Sequence, residues 1–314
     1  MTNRLHHPLR WTLTAGICLL CGCASLQRSA MQSAGDSLAA ASLTAFATDE
    51  DLVLVGDALP FALKFLDTLL VNDPESVDLL GAAAAGYIQY ASAYLDWPAT
   101  QQKESDYEAA SVLQARAGQL YERGRTYALK ALDLQYPDFR EQLEKNPDQA
   151  LAACDKADVP LLYWAGAGWA GVIAMNPGNM EKVADLPVLA SLMHRALALD
   201  ETWNLGALHE FMILFEGGRS EMMGGSQDRA RLHFQRALEL SGKDNPTPYI
   251  NLAITVSIQN QDVAEYRSCL QTALAAGKPK DPTRNLAFRL AHEKATWYLD
   301  HADQFFLSWE ESTP

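Results

Sequence analysis

Cysteine is scarce in this chain. Of five, Cys18, Cys21 and Cys23 crowd the N-terminus, leaving Cys154 and Cys269 for the remainder. That remainder has no CxxC pair of the kind that serves zinc or redox chemistry. The two thiols either pair in an oxidising compartment or stay apart as small buried hydrophobes, and their separation in sequence does not decide which. Basic charge is also short: 25 Lys and Arg stand against 39 Asp and Glu, a net charge of −14. Such a surface repels a phosphate backbone, which removes nucleic-acid binding. Val and Ile together number 18 against 48 Ala. Because β-branched residues populate strands and Ala has the lowest helical cost, an all-β architecture is excluded and an all-helical one expected. With 48% hydrophobic and 20% charged residues over 314 positions, the chain is too apolar for disorder and long enough for two domains or one helical array.

The N-terminus reads as a leader. Arg4, His6, His7 and Arg10 precede an apolar run from Trp11 to Leu20, about half the ~20 residues a helix needs to cross a bilayer. Leu20-Cys21-Gly22-Cys23 then fits the bacterial lipobox, which is cut before its cysteine. The expected product begins at Cys23, whose sulfur receives a diacylglycerol thioether and whose new amino group takes a further acyl chain. Two or more chains give lasting membrane attachment where one does not. Ala24 in place of Asp points to the outer membrane. The expected organisation is a signal peptide over 1–22, a lipid-proximal tether over 23–37, a helical domain over 38–308 and a tail over 309–314.

Helical periodicity broken by Pro, Gly or Asp recurs along the domain. It predicts helices near Leu52–Leu70, Ser76–Leu95, Ser105–Leu134, Val159–Met175, Leu186–Leu199, Thr202–Phe215, Ser226–Leu240, Pro248–Gln259, Val263–Ala275 and Pro282–Phe306. An Ala-Leu or Leu-Leu step recurs at Leu69-Leu70, Ala131-Leu132, Ala196-Leu197, Ala237-Leu238 and Ala273-Leu274. Spacings near once or twice 34 describe degenerate tetratricopeptide repeats, whose helix pairs each carry an apolar face that only a neighbour can bury. The expected fold class is therefore all-α, an array of degenerate tetratricopeptide-like hairpins; an irregular helical bundle is the alternative.

Catalytic signatures fail residue by residue. His209-Glu210 lacks a second imidazole because 213 is Ile, and His292-Glu293 fails likewise at Thr296. Gly242-Lys243 and Gly277-Lys278 lack the upstream glycine of a phosphate loop, with Ala237 and Thr272 in its place. No catalytic residue, metal or cofactor is assigned, and a non-enzymatic role is expected. Two stretches carry more information. In Leu161–Gly171, LLYWAGAGWAG, Gly166, Gly168 and Gly171 each cost a helix about 1 kcal/mol relative to Ala. Close approach of a neighbouring helix offsets that cost, or else a cavity wall needs the space. Tyr163, Trp164, Gly168 and Trp169 are the cavity or ligand candidates. Trp164 and Trp169, five residues apart and about 140° around the helix, serve different surfaces. In Glu216–Ser226, EGGRSEMMGGS, two Gly pairs bracket Met222 and Met223. This reads as a conformationally free loop presenting adaptable side chains to a partner, or as a plain connection between repeats.

Several ordered segments resemble one family. They are Tyr121-Glu122-Arg123-Gly124-Arg125-Thr126-Tyr127-Ala128, VPLLYWAGAGWAG, VADLPVLASLMHRALALDETWNLGALHEF, GGSQDRARLHFQRALELSGK and TRNLAFRLAHEKATWYLDHADQFF. From about Leu66 to Phe306 the chain resembles the T component of TRAP transporters (TatT), periplasmic lipoproteins of tetratricopeptide-like helices. The resemblance implies binding to the transporter's periplasmic solute-binding protein, a homotrimer, and a cavity or pore admitting a small apolar ligand. The chain departs from the family pattern at Thr255–Gln261, which is less aromatic, and at Arg219–Met223. The other functional reading is a general tetratricopeptide scaffold lipoprotein for outer-membrane or cell-envelope assembly.

Overall fold

The computed structural model describes residues 44–308, so Cys23 and the leader, tether and tail lie outside the described residues. The described part is helical throughout, with no strand among the described residues. After a short helical stretch at 44–48, α1 spans Leu52–Asn72. Asp51 starts it by accepting hydrogen bonds from the Val53 and Leu54 amides. Val55, Leu59, Leu63, Leu66 and Leu70 form its buried stripe at helical spacing. Ser76 caps α2, Val77–Ala91, which runs on through a π turn at Ser92–Asp96 into Trp97–Gln102. The long α3, Tyr107–Gln135, follows. Two short helices, α4 (Phe139–Lys145) and α5 (Pro147–Ala152), lead to α6 (Val159–Ala174). Then come α7 (Met180–Val183), α8 (Leu186–Asp200), α9 (Ala207–Gly217) and α10 (Gln227–Ser241). The last three are α11 (Pro246–Leu252, prolonged by a π turn at Ala253–Ser257), α12 (Val263–Ala275) and α13 (Asn285–Asp300).

Packing is pairwise along the array. Helix α3 lies between α2 and α6, α6 meets α8, α9 pairs with α10, and α11, α12 and α13 follow in turn. The Tyr121–Ala128 segment of α3 shows how closely sequence and packing correspond. Gly124 sits where a Cβ would fall 2.5 Å from Ile88 of α2 and 3.0 Å from the Ala84 carbonyl oxygen. Tyr127 donates to Asp67 at 2.8 Å, Tyr87 donates to the same carboxylate at 2.8 Å, and Arg123 donates to the Tyr87 hydroxyl at 3.1 Å. Three helices are thus bound through one aspartate, whose hydrogen bonds outweigh the desolvation that opposes them and keep its carboxyl below the ordinary range.

Two cores form. One runs from Val55 of α1 to Phe215 of α9; the other gathers Ile213, Tyr266, Leu270 and Tyr298 from the C-terminal helices. Cys154 lies in the first and Cys269 in the second, both buried and free. Burial pushes their thiols up to about 12 and about 11. They are packing residues, not a disulfide.

Trp97 belongs by sequence to the second hairpin helix but packs in the C-terminal core. Its ring centroid lies 5.3 Å from Trp297 and 5.5 Å from Tyr298, and its indole N–H donates to Glu293 at 2.9 Å. Asn285 donates to the Thr48 carbonyl oxygen at 3.1 Å, and Lys278 pairs with Glu50. The first and last elements of the array therefore meet. Trp97→Ala is expected to cost about 3–5 kcal/mol of unfolding free energy, read from urea denaturation. A cost near zero would show that the two ends are not held by this contact.

Candidate functional site

Helix α6 carries the densest cluster of sequence candidates, and its faces divide their roles. Gly168 is packed on α3: a Cβ there would lie 3.0 Å from both the Arg125 amide nitrogen and the Tyr121 carbonyl oxygen. At Gly171 a Cβ would fall 2.4 Å from the Tyr121 ring, and at Gly166 2.3 Å from Met193 of α8. All three glycines serve close approach, and the structure places Gly168 at a helix contact, not on a cavity wall.

Trp169 is 5% exposed and belongs to the first core. Its N–H donates to Asp185 at 3.0 Å, and the Arg125 guanidinium covers its ring at 4.6 Å. It helps to line a cavity of about 190 Å³ with Arg140 and Asp185, away from the other aromatic candidates. Tyr163 and Trp164 face elsewhere, edge to face at 4.9 Å. Tyr163 also meets Trp203 at 4.7 Å and Phe211 of α9 at 6.5 Å. Here the structure corrects the sequence reading of a single helix over Thr202–Phe215. Asn204 (φ 45°), Leu205 (φ 55°) and Gly206 (φ 88°) are consecutive left-handed residues, which break the helix and turn Trp203 onto Tyr163. Two non-glycine residues in this region store strain. The Asn-Leu-Gly triplet, with its two left-handed formers, was the available signal.

Tyr163, Glu210 and Lys294 are each half-buried, and burial is the largest influence on the ionisation of each. Tyr163, Trp164, Ala167 and Ala170, at helical spacing on α6, all stay half-buried while Ala165, Gly166, Gly168 and Trp169 are covered. Burial raises the Tyr163 hydroxyl and the Glu210 carboxyl, the latter against a hydrogen bond from Asn245 and the field of Arg284. Further along α6, the Tyr121 ring occupies the place left by Gly171, and its hydroxyl donates to Asp96 at 3.1 Å. Burial raises Asp96 and lowers Lys294, each charge supporting the other. Arg284, just before α13, thus acts on Glu210, and Lys294 within α13 acts on Asp96. The sequence reading missed Glu210, Asp96 and Lys294, since a charged residue in an amphipathic helix gives no sign of depth.

The Met222-Met223 loop is exposed, at 99% and 47%, but it is braced where free motion was expected. Arg219 donates from Nε to the Phe215 carbonyl oxygen at 2.7 Å and from Nη1 to that of Met223 at 2.9 Å, and its guanidinium lies 3.6 Å over the Phe215 ring. Arg229 donates to buried Glu216 at 2.6 Å and to the Gly224 carbonyl oxygen at 2.7 Å. At Gly225 a Cβ would fall 2.1 Å from the Arg219 carbonyl oxygen, so glycine is required there by the brace. Between α9 and α10, His209 Nδ1 meets His233 Nδ1 at 2.8 Å, and His209 Nε2 meets Glu201 at 3.2 Å.

A family model described as TRAP transporter T-component matches residues 48–306. The chain belongs to that family. It is also 29% identical over 307 residues to an uncharacterised protein of Treponema pallidum (strain Nichols), covering 92% of this chain and 95% of the relative. The matched span takes in both cores and the closing Trp97 contact. No helix among the described residues is long and apolar enough to cross a membrane.

Two predictions follow from this geometry. Because Gly168 faces backbone, Gly168→Leu is expected to lose about 1–3 kcal/mol through overpacking, with the loss seen in denaturant midpoint. An unfolding midpoint like that of the unsubstituted protein would return Gly168 to the cavity. Burial lowers His233 to about 4 and also lowers His209 from an ordinary value of 6.5. The unfolded chain takes up protons below pH 6.5 that the folded pair refuses, so the stability present above 6.5 is lost as pH falls toward 4. His233→Leu should flatten that slope in unfolding experiments between pH 7.5 and 4; an unchanged slope would assign the acid sensitivity to other groups.

Proposed function

We propose that this protein is a lipid-anchored, periplasmic T component that holds the solute-binding protein of a TRAP-type transport system and does not itself transform a substrate. The family match over residues 48–306 carries this reading. Acylation of Cys23 confines the chain to the periplasmic face of a bacterial membrane, the outer membrane by the residue that follows. The helical array, closed by Trp97, offers a rigid surface that needs little ordering on binding. Met222 and Met223 supply an adaptable apolar contact on a braced loop, suited to a receptor that changes shape with its solute. A small apolar ligand binds beside half-buried Tyr163 and Trp164, and the protein assembles as a homotrimer.

Capture from membranes solubilised in mild detergent tests the central claim. The protein is expected to bring down a secreted solute-binding protein. The double substitution Met222→Ser and Met223→Ser should weaken that capture about tenfold, a loss of roughly 1.4 kcal/mol, with thermal unfolding unchanged. Recovery of envelope-assembly proteins with no solute-binding protein would replace this reading by the scaffold one.

A further inference from the structure

Helix α1 closes the array at its N-terminal end and packs chiefly on α2. An end helix of this kind ordinarily turns a polar face to water, because no further repeat covers it. Here the outer face is apolar. Leu54, Phe61 and Phe65 are 58%, 77% and 39% exposed, and the helical repeat places them within about 40° of one another around the axis. The two phenylalanine rings stack with centroids 6.5 Å apart. Val53 and Val71, both largely exposed, widen the patch along the edge where Asp57 and Lys64 stand. These five side chains stand outside both cores, since α1 packs inward through the separate stripe from Val55 to Leu70. Large apolar side chains gathered on one exposed face mark a contact surface.

We propose that this face of α1 lies on the bilayer, its apolar side chains entering the headgroup boundary of zwitterionic lipid. Reach, size and charge select that occupant. Residues 24–43 separate Cys23 from the described chain, at most about 70 Å when extended, so an acyl anchor holds α1 in the vicinity of lipid. Five large side chains on one helix fall well short of the roughly 20–30 residues a side of a standard protein interface. A tethered surface, by contrast, needs no affinity sufficient on its own. The net charge of −14 disfavours an anionic surface, so the contact is made by apolar side chains and not by charge attraction. The inference rests on the lipid anchor of the proposed function and is independent of receptor capture and of ligand binding.

The acylated protein, reconstituted in vesicles of phosphatidylcholine and phosphatidylethanolamine, tests this. Flotation with the vesicles reports the anchor. Bimane attached at Phe61→Cys then reads the face, with Leu232→Cys at an exposed position of α10 as the aqueous reference; the native Cys154 and Cys269 are buried. A nitroxide carried on the lipid near its headgroup should quench the label at position 61. Iodide should quench it about fivefold less than the reference, as an interfacial depth of about 5–10 Å requires. Adding Leu54→Ser and Phe65→Ser should restore iodide access at position 61 with flotation and thermal unfolding unchanged, since both side chains are exposed. Iodide reaching position 61 as freely as position 232 in protein that floats would overturn the docking and leave the anchor standing. A label shielded from iodide yet unquenched by the lipid nitroxide would put a second copy or another protein on this face and likewise overturn it. Protein that fails to float would remove the anchor, and the docking with it.

Discussion

Helix α3 is held at backbone distance on two sides, and most of the architecture depends on that constraint. Gly124 lets α2 approach until Ile88 and the Ala84 carbonyl oxygen fill the space of a side chain, and Gly168 and Gly171 do the same for α6. A helix interior glycine costs about 1 kcal/mol against alanine, so three such positions persist only where closer packing returns more. The return is geometric as well as energetic. With α2, α3 and α6 drawn together, Tyr121 spans from Gly171 to Asp96, and Tyr127 reaches Asp67. The polar circuit that crosses the array exists because the glycines remove what would hold the helices apart.

That drawing-in also decides which side of α6 is free. Contact with α3 and α8 consumes the faces bearing Gly166, Gly168 and Gly171, and Arg125 covers Trp169 on the outside. What remains is the stripe of Tyr163, Trp164, Ala167 and Ala170, which no helix buries completely. The second core then sets a limit on how far the array opens. Trp97 anchors in it and bonds to Glu293 of α13, so the last long helix is brought back against the first hairpin.

The helices and their joints were legible because alanine-rich periodic segments end at Pro, Gly or Asp, and Asp51, Ser76, Asp106 and Ser226 cap as their chemistry suggests. Helices α4 and α5 were not legible. At seven and six residues they are too short to show a period, and they are held by tertiary burial of Phe139 and Leu143 on α4 and of Ala150 and Leu151 on α5. The divergence of Trp164 and Trp169 could be read from their spacing alone, whereas the reason for Gly168 could not, since packing and cavity place the same demand on a side chain. Local sequence also suggested a free loop at Glu216–Ser226. Its glycines in fact allow a tight brace, because Gly225 admits the Arg219 carbonyl oxygen that any Cβ would expel.

Depth is the property that sequence conceals most completely, and it separates two kinds of charged residue here. Arg236 and Lys294 are both cations on amphipathic helices. Arg236 lies at the surface, where Glu201 and Glu239 pair with it at 2.5 and 2.7 Å, and such exposed pairs contribute little. Lys294 lies where the same charge is costly, has no contacting carboxylate, and sits beside two acids already engaged. A fold that needed only packing at this position would be served better by leucine or methionine, since a buried charge without a partner opposes stability. The ammonium is accommodated instead by the Trp97 ring 5.4 Å away and by the fields of Asp96 and Glu293.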